Sequence, residues 1–207
     1  MSTVVVFDSG SGNTHSVVQA LRRLGARVDL TADRAACLAA DALVLPGVGS
    51  FAAYMHALES VGGVEIIRER VEQARPLLGI CVGHQVLFSE GVERGRLAAG
   101  LAVYPGTVRQ LPSRRRPHMG WNELRPDPSS RLFEGAERYY FVHSYAGLKR
   151  SDLPETALVH WAIHDSASFV AAVEYANVLS TQFHPEKSGA VGLRLLRRWL
   201  ESLEGAP

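Results

Sequence analysis

Long apolar runs, lysine, cysteine and net charge are all scarce in this sequence. No apolar run approaches the ~18 residues a membrane span requires, so no bilayer-crossing helix is expected in the 207 residues. Charge of one sign is missing too. Twenty-two basic residues against 21 acidic ones leave a net charge of +1, which argues against nucleic-acid or membrane binding driven by bulk charge. Cysteine occurs only at Cys37 and Cys81, too few for a disulfide framework or a cysteine-based zinc site. The opening Met1-Ser2-Thr3-Val4-Val5-Val6-Phe7-Asp8 has neither a basic start nor a long apolar stretch, so no signal peptide is expected and the chain reads as cytoplasmic. Lysine is confined to Lys149 and Lys187, a bias toward arginine that reads as coding preference rather than function.

What is present is the composition of a globular protein, 46% hydrophobic and 21% charged, sufficient to bury a sizeable core. The first half alternates short apolar runs with amphipathic stretches. Thr3–Phe7, Arg27–Leu30, Ala42–Leu45 and Leu77–Ile80 read as strands. Helical spacing recurs at Val17, Val18, Leu21 and Leu24, in Ser50–Leu58 and in Val64–Ala74, and a further helix opens at Cys81. Such alternation predicts a parallel sheet with helices on both faces. The second half changes character. Gly100–Val108, His118–Leu124, Arg138–Ser144, Ala157–Ile163, Ser168–Glu174 and Asn177–Phe183 read as successive strands, and Val191–Leu200 as a closing helix. One α/β domain with a β-rich insertion is the economical expectation. Leu111–Pro117, with Arg114-Arg115-Arg116 at its centre, reads as an exposed, solvated loop.

Gly79-Ile80-Cys81-Val82-Gly83 places a nucleophile-type residue between a strand and a helix, with glycines two positions away on either side. That is the logic of a nucleophile elbow: small neighbours let a strained turn form and leave the apical side chain exposed. A helix starting there would favour the thiolate and offer backbone N–H groups to an oxyanion. A buried structural cysteine between loop glycines is the other reading of the same residues. A base is available in Gln182-Phe183-His184-Pro185-Glu186, where proline ends a strand and Glu186 can fix the tautomer of His184; a solvated strand-end histidine is the bland alternative. Pro46-Gly47-Val48-Gly49-Ser50-Phe51 could complete an oxyanion site with the N–H of Val82, or be an ordinary βα loop. His160, His164 and Asp165 are spaced poorly for a shared metal, and Cys37 reads as inert packing.

Taken together, Gly79-Ile80-Cys81-Val82-Gly83-His84-Gln85 and His184-Pro185-Glu186, about a hundred residues apart, resemble the class I (triad) glutamine amidotransferases. Within that superfamily the chain is most similar to the glutaminase subunits of imidazole glycerol phosphate synthase. The supporting stretches are Pro46–Phe51, Pro117–Asn122, Tyr140–Tyr145 and Gln182–Ser188, which fall in the family's order and span essentially the whole chain.

The resemblance implies an α/β, flavodoxin-like open sheet, mostly parallel with helices on both faces and an antiparallel β-rich second half, as a single domain over residues 1–207. It implies Cys81, His184 and Glu186 as catalytic residues, with Val48, Gly49 and Val82 lining the oxyanion site. Gln85, Glu93, His143, Ser144 and Tyr145 would hold glutamine, and Asn13, His118, Trp121 and Lys187 match positions near a partner interface. No cofactor or metal is implied. The implied partner is a separate (β/α)₈-barrel cyclase subunit, which uses the ammonia to make imidazole glycerol phosphate and an aminoimidazole carboxamide ribotide. The length leaves no room for a second catalytic domain, so the acceptor enzyme is expected to be another chain.

The sequence departs from the family pattern at two points. His84 stands where this subfamily more often has methionine, and the usual aromatic after Asp8 is missing. Two rival functions are a stand-alone glutaminase serving a different synthase and a catalytically silent regulatory subunit. The pyridoxal phosphate synthase relatives carry a Gly-Gly-Glu-Ser-type loop, which Pro46–Phe51 is not. A silent subunit would have been free to lose Cys81, His184 and Glu186.

Overall fold

The computed structural model describes residues 1–10 and 14–204. The expected Asn13 contact lies outside them. The elements run β1 (Thr3–Phe7), α1 (His15–Arg23), β2 (Arg27–Thr31), α2 (Arg34–Ala39), β3 (Ala42–Gly47), α3 (Phe51–Ser60), α4 (Gly63–Glu72), β4 (Leu77–Cys81) and α5 (Val82–Gln85). They continue with β5 (Phe88–Glu93), β6 (Arg96–Ala99), β7 (Tyr104–Gln110), β8 (His118–Glu123), β9 (Arg138–His143), β10 (Tyr145–Gly147), β11 (Leu158–His164), β12 (Ala167–Tyr175), β13 (Val178–Thr181) and α6 (Gly189–Glu204).

The main sheet has seven strands in the order β11-β12-β13-β4-β3-β1-β2. Its strands from β13 to β2 are parallel, and β11 and β12 extend it as antiparallel edge strands. Every residue of β3 and β4 is buried, as a strand covered on both faces requires. The order itself assigns the helices. Moving from β1 to β2 runs one way across the sheet and from β3 to β4 the other, so right-handed crossovers put α1 opposite α3 and α4. The turn at Pro185–Lys187 contacts both α1 and α6, which places α6 on the α1 face.

The β-rich half is not one insertion. Strands β11, β12 and β13 complete the main sheet, β10-β7-β5-β6 form a second one, and β8 with β9 forms a two-stranded third. The helix expected to open at Cys81 is a single short turn, because Val86 and Leu87 lead directly into β5. Helix α2 and the β5–β6 hairpin were not anticipated. Asp33 caps α2 by accepting from the Ala36 N–H at 2.8 Å.

One buried cation ties this frame together. Arg70 on α4 is fully buried, and its guanidinium donates to the carbonyls of Cys37, Ala40, Asp41 and Pro76 at 2.8–3.4 Å. It thereby fastens the end of α2 to the starts of β3 and β4. Burial, with Arg75 nearby, lowers its pKa to about 10.

Candidate active site

Three adjacent parallel strands deliver the reactive groups to one edge. Cys81 ends β4, and its register partner Gly47 ends β3 just before Val48 and Gly49. On the other side of β4, Thr181 pairs with Ile80, so the chain leaving β13 reaches His184 beside the cysteine. The carboxyl edge of a parallel sheet is where α/β proteins gather their ligands.

The elbow is tightly packed. Cys81 adopts φ 56° and ψ −109°, a left-handed state that a β-carbon resists. A Cβ on Gly83 would lie 1.9 Å from the Leu45 carbonyl oxygen, and one on Gly47 would lie 2.6 Å from the Gly83 nitrogen. Glycine is therefore required in both elements, at Gly47 of β3 and Gly83 of α5, for α5 to sit this close to β3.

His184 lines the same cavity as Cys81, and its Nδ1 donates to Glu186 Oε1 at 2.8 Å, which leaves Nε2 for the sulfur. The side chains of His184 and Glu186 are 4% and 3% exposed. Burial acts to lower the His184 pKa, but hydrogen bonds and charge from Cys81 and Glu186 outweigh it and raise it to about 9. Its backbone is fixed as well: His184 N–H donates to the Tyr140 carbonyl at 2.9 Å, and Ser188 Oγ donates to the His184 carbonyl at 2.6 Å.

Cys81, His184, Val48, Gly49, Val82, Gln85, Glu93, His143, Ser144, Tyr145 and Lys187 all line one cavity of about 220 Å³. That volume is smaller than the ~300–1,000 Å³ of drug-sized sites and suits a single amino acid. It opens into a wider basin of about 890 Å³, which shares Gly49, Glu93, Ser144 and Tyr145 and adds Arg94, Arg96 and Arg116. Among the described residues, no group of three or more His, Cys, Asp or Glu side chains is placed to hold a metal ion.

A family model described as "Glutamine amidotransferase class-I" matches residues 5–202. The chain belongs to the class-I glutamine amidotransferases. Within them it is similar to proteins named imidazole glycerol phosphate synthase subunit HisH. The one from Cutibacterium acnes is 52% identical, covering 97% of each chain, and the one from Leifsonia xyli is 51% identical, covering 97% of this chain and 98% of that one. The fold is shared with a solved glutamine amidotransferase at TM-score 0.76 and 24% identity, covering 98% of this chain and 99% of that one. It is also shared with the glutaminase domain of Trypanosoma brucei CTPS with bound acivicin, at TM-score 0.69 and 16% identity, covering 100% of this chain and 95% of that one.

This amidotransferase also has contacts around Cys81 that the motifs did not reveal. Gln182 is fully buried; its Nε2 donates to Cys81 Sγ at 3.8 Å while its Oε1 accepts from Gln85 Nε2 at 2.9 Å. The Val142 carbonyl accepts from Cys81 Sγ at 4.0 Å. Under the elbow, Ser180 Oγ joins His84 Nδ1 and Tyr104 OH, each at 2.8 Å, and burial pushes His84 down to about 3. Glu93, besides lining the cavity, accepts from the Phe51 N–H at 3.0 Å and so pins the β5–β6 hairpin to the start of α3.

His118, expected near a partner interface, is 3% exposed in this chain and turned inward, because alternate residues of a strand face opposite sides. Its neighbours Met119 and Trp121 point outward, 62% and 48% exposed. The 111–117 loop is exposed at Pro112 and at residues 114–117, as expected, and it is also pinned: Leu111 and Ser113 are buried, Arg115 Nε pairs with Asp165 Oδ1 at 2.7 Å, and Arg116 donates back to the Leu111 carbonyl at 3.0 Å. His160 and His164 take separate partners, Glu174 and the Arg115 carbonyl.

Proposed function

We propose that Cys81 attacks the side-chain amide of glutamine and that the ammonia released is used by a separate cyclase subunit to build imidazole glycerol phosphate. The observation that carries this reading is the buried contact of Cys81 with His184, itself held by Glu186, at the floor of an amino-acid-sized cavity. The Cys81 thiol passes its proton to His184 Nε2 as its sulfur adds to the amide carbon, and the oxygen that becomes negative is received by N–H groups of Val82 and of the Val48–Gly49 turn. His184 gives a proton from Nε2 to the departing ammonia, leaving a γ-glutamyl thioester. It then takes a proton from water, which attacks the thioester and frees glutamate and Cys81. Glu186 fixes the imidazole throughout. Gln85, Glu93 and the His143–Tyr145 segment hold the amino-acid portion, and residues 1–207 act as one domain.

The exposed Met119 and Trp121, with Lys187 at the cavity mouth, offer the surface for the cyclase. A stable contact there would bury roughly 1,600 Å² in total. The test is glutamate release from glutamine by the chain alone, with the cyclase subunit, and with a ligand in the cyclase site. Strong stimulation is expected, abolished by Cys81→Ala. No stimulation, with Cys81 still modified by a glutamine analogue, would assign the glutaminase to another synthase.

A further inference from the structure

His118 is a histidine the proposed chemistry does not use, and the structure gives it an ordered place. Tyr145 and Gln85 both line the cavity, and the Tyr145 backbone carbonyl accepts from Gln85 Nε2 at 2.8 Å. The same carbonyl lies 3.0 Å from His143 Nδ1. A carbonyl can only accept, so His143 carries its proton on Nδ1. Burial, with His118 beside it, pushes the His143 pKa down to about 3, so its ring is neutral and its Nε2 is an acceptor. His118 Nδ1 lies 3.0 Å from that Nε2 and must be the donor. His118 Nε2 then accepts from Asn122 Nδ2 at 3.2 Å. Asn122 is oriented in turn: its amide nitrogen donates to the Ile163 carbonyl at 2.8 Å, and its oxygen accepts from the Glu123 N–H at 2.8 Å.

The chain of donors therefore has a single direction, Asn122 to His118 to His143 to the Tyr145 carbonyl. It meets a second chain there, in which Gln85 also donates to Gln182 and Gln182 donates to the Cys81 sulfur. Ring packing holds the first chain in place: His118 stacks between Phe141 and His164 at centroid distances of 4.9 and 4.2 Å. We propose that His118 is a positioning residue for the substrate pocket, acting through His143 to aim the Tyr145 carbonyl and Gln85, given the glutamine pocket at Cys81 argued above.

The geometry makes a regiospecific prediction. The amide nitrogen of asparagine lies as far along its side chain as histidine Nδ1, whereas that of glutamine reaches the position of Nε2. His118→Asn keeps the donor to His143, while His118→Leu and His118→Gln lose it. The experiment measures modification of Cys81 in the full chain, with the cyclase subunit present, by acivicin and separately by iodoacetamide. Acivicin must occupy the amino-acid pocket and shows saturation; iodoacetamide needs only the thiol.

For His118→Leu and His118→Gln the half-saturating acivicin concentration is expected to rise about tenfold, the worth of one lost hydrogen bond. His118→Asn is expected to stay within about threefold of wild type, and iodoacetamide rates of all three within about twofold. Thermal unfolding checks that each variant is folded. If the leucine variant is not, the comparison of asparagine with glutamine carries the test. Equal half-saturation in all variants, or asparagine no better than glutamine, would overturn the positioning role. A wild-type chain that iodoacetamide modifies at Cys81 but acivicin does not would overturn the glutamine pocket instead.

Discussion

Cys81 holds a backbone state that glycine adopts freely and cysteine does not. Catalytic position and stability are therefore opposed at one residue. Cys81→Gly is expected to abolish glutaminase activity and raise unfolding stability by about 1 kcal/mol, while Cys81→Ala abolishes activity without that gain. Urea denaturation of the two variants beside wild type measures the difference. At His184 the folded-state pKa of about 9 lies above the ~6.5 of a free imidazole. The protonated form is favoured by folding, so this contribution is fully present below about pH 6.5 and is lost as pH rises through about 9. Glu186→Gln removes one of the groups that raise the pKa. Its melting temperature should therefore lose less than that of wild type between about pH 7 and 9.5. The triad was legible at this scale because each member sits in a short motif. The role of Gln182 was not, although it opens the same motif as His184, since its contact with Cys81 depends on the register of β13 against β4 rather than on any neighbour in sequence.

Elements show the limits of periodicity. Strands β1, β3 and β4 announced themselves as β-branched or aliphatic runs, whereas α2 is six residues with three alanines and too short to display a stripe. The turn of the β5–β6 hairpin has φ 50° at Arg94 and 76° at Gly95, the paired left-handed state of a tight hairpin turn. The Arg-Gly pair was its only local sign. Two elements carry predictions about packing. Gly83→Ala drives a methyl into the Leu45 carbonyl; it should cost at least ~3 kcal/mol and shift the urea midpoint accordingly. Arg70→Met leaves four carbonyls without their donor. It should also cost about 3 kcal/mol by the same measurement, while activity per folded molecule at low temperature stays near that of wild type.

For the whole molecule, the parallel half was legible from the alternation of strands and helices. The allocation of the later strands was not. Whether a strand joins the main sheet or a separate one is decided by pairing across tens of residues, as in Leu179 against Leu78 or Tyr145 against Gln110. The outward faces of Met119 and Trp121 on β8 give the whole-molecule prediction. Trp121→Ala should weaken association with the proposed cyclase partner at least tenfold, on the order of 1.4 kcal/mol, while Cys81 in the free chain reacts with iodoacetamide as before. Sedimentation of the mixed subunits measures the first and mass spectrometry the second.

The strand order also bears on how the chain is made. Cys81 precedes His184 by about a hundred residues, yet β4 and β13 are neighbours. Synthesis proceeds from the N-terminus, so a ribosome-bound chain has its nucleophile long before its base. Glutamine hydrolysis is denied to a growing copy until β13 has docked beside β4 and carried His184 to Cys81.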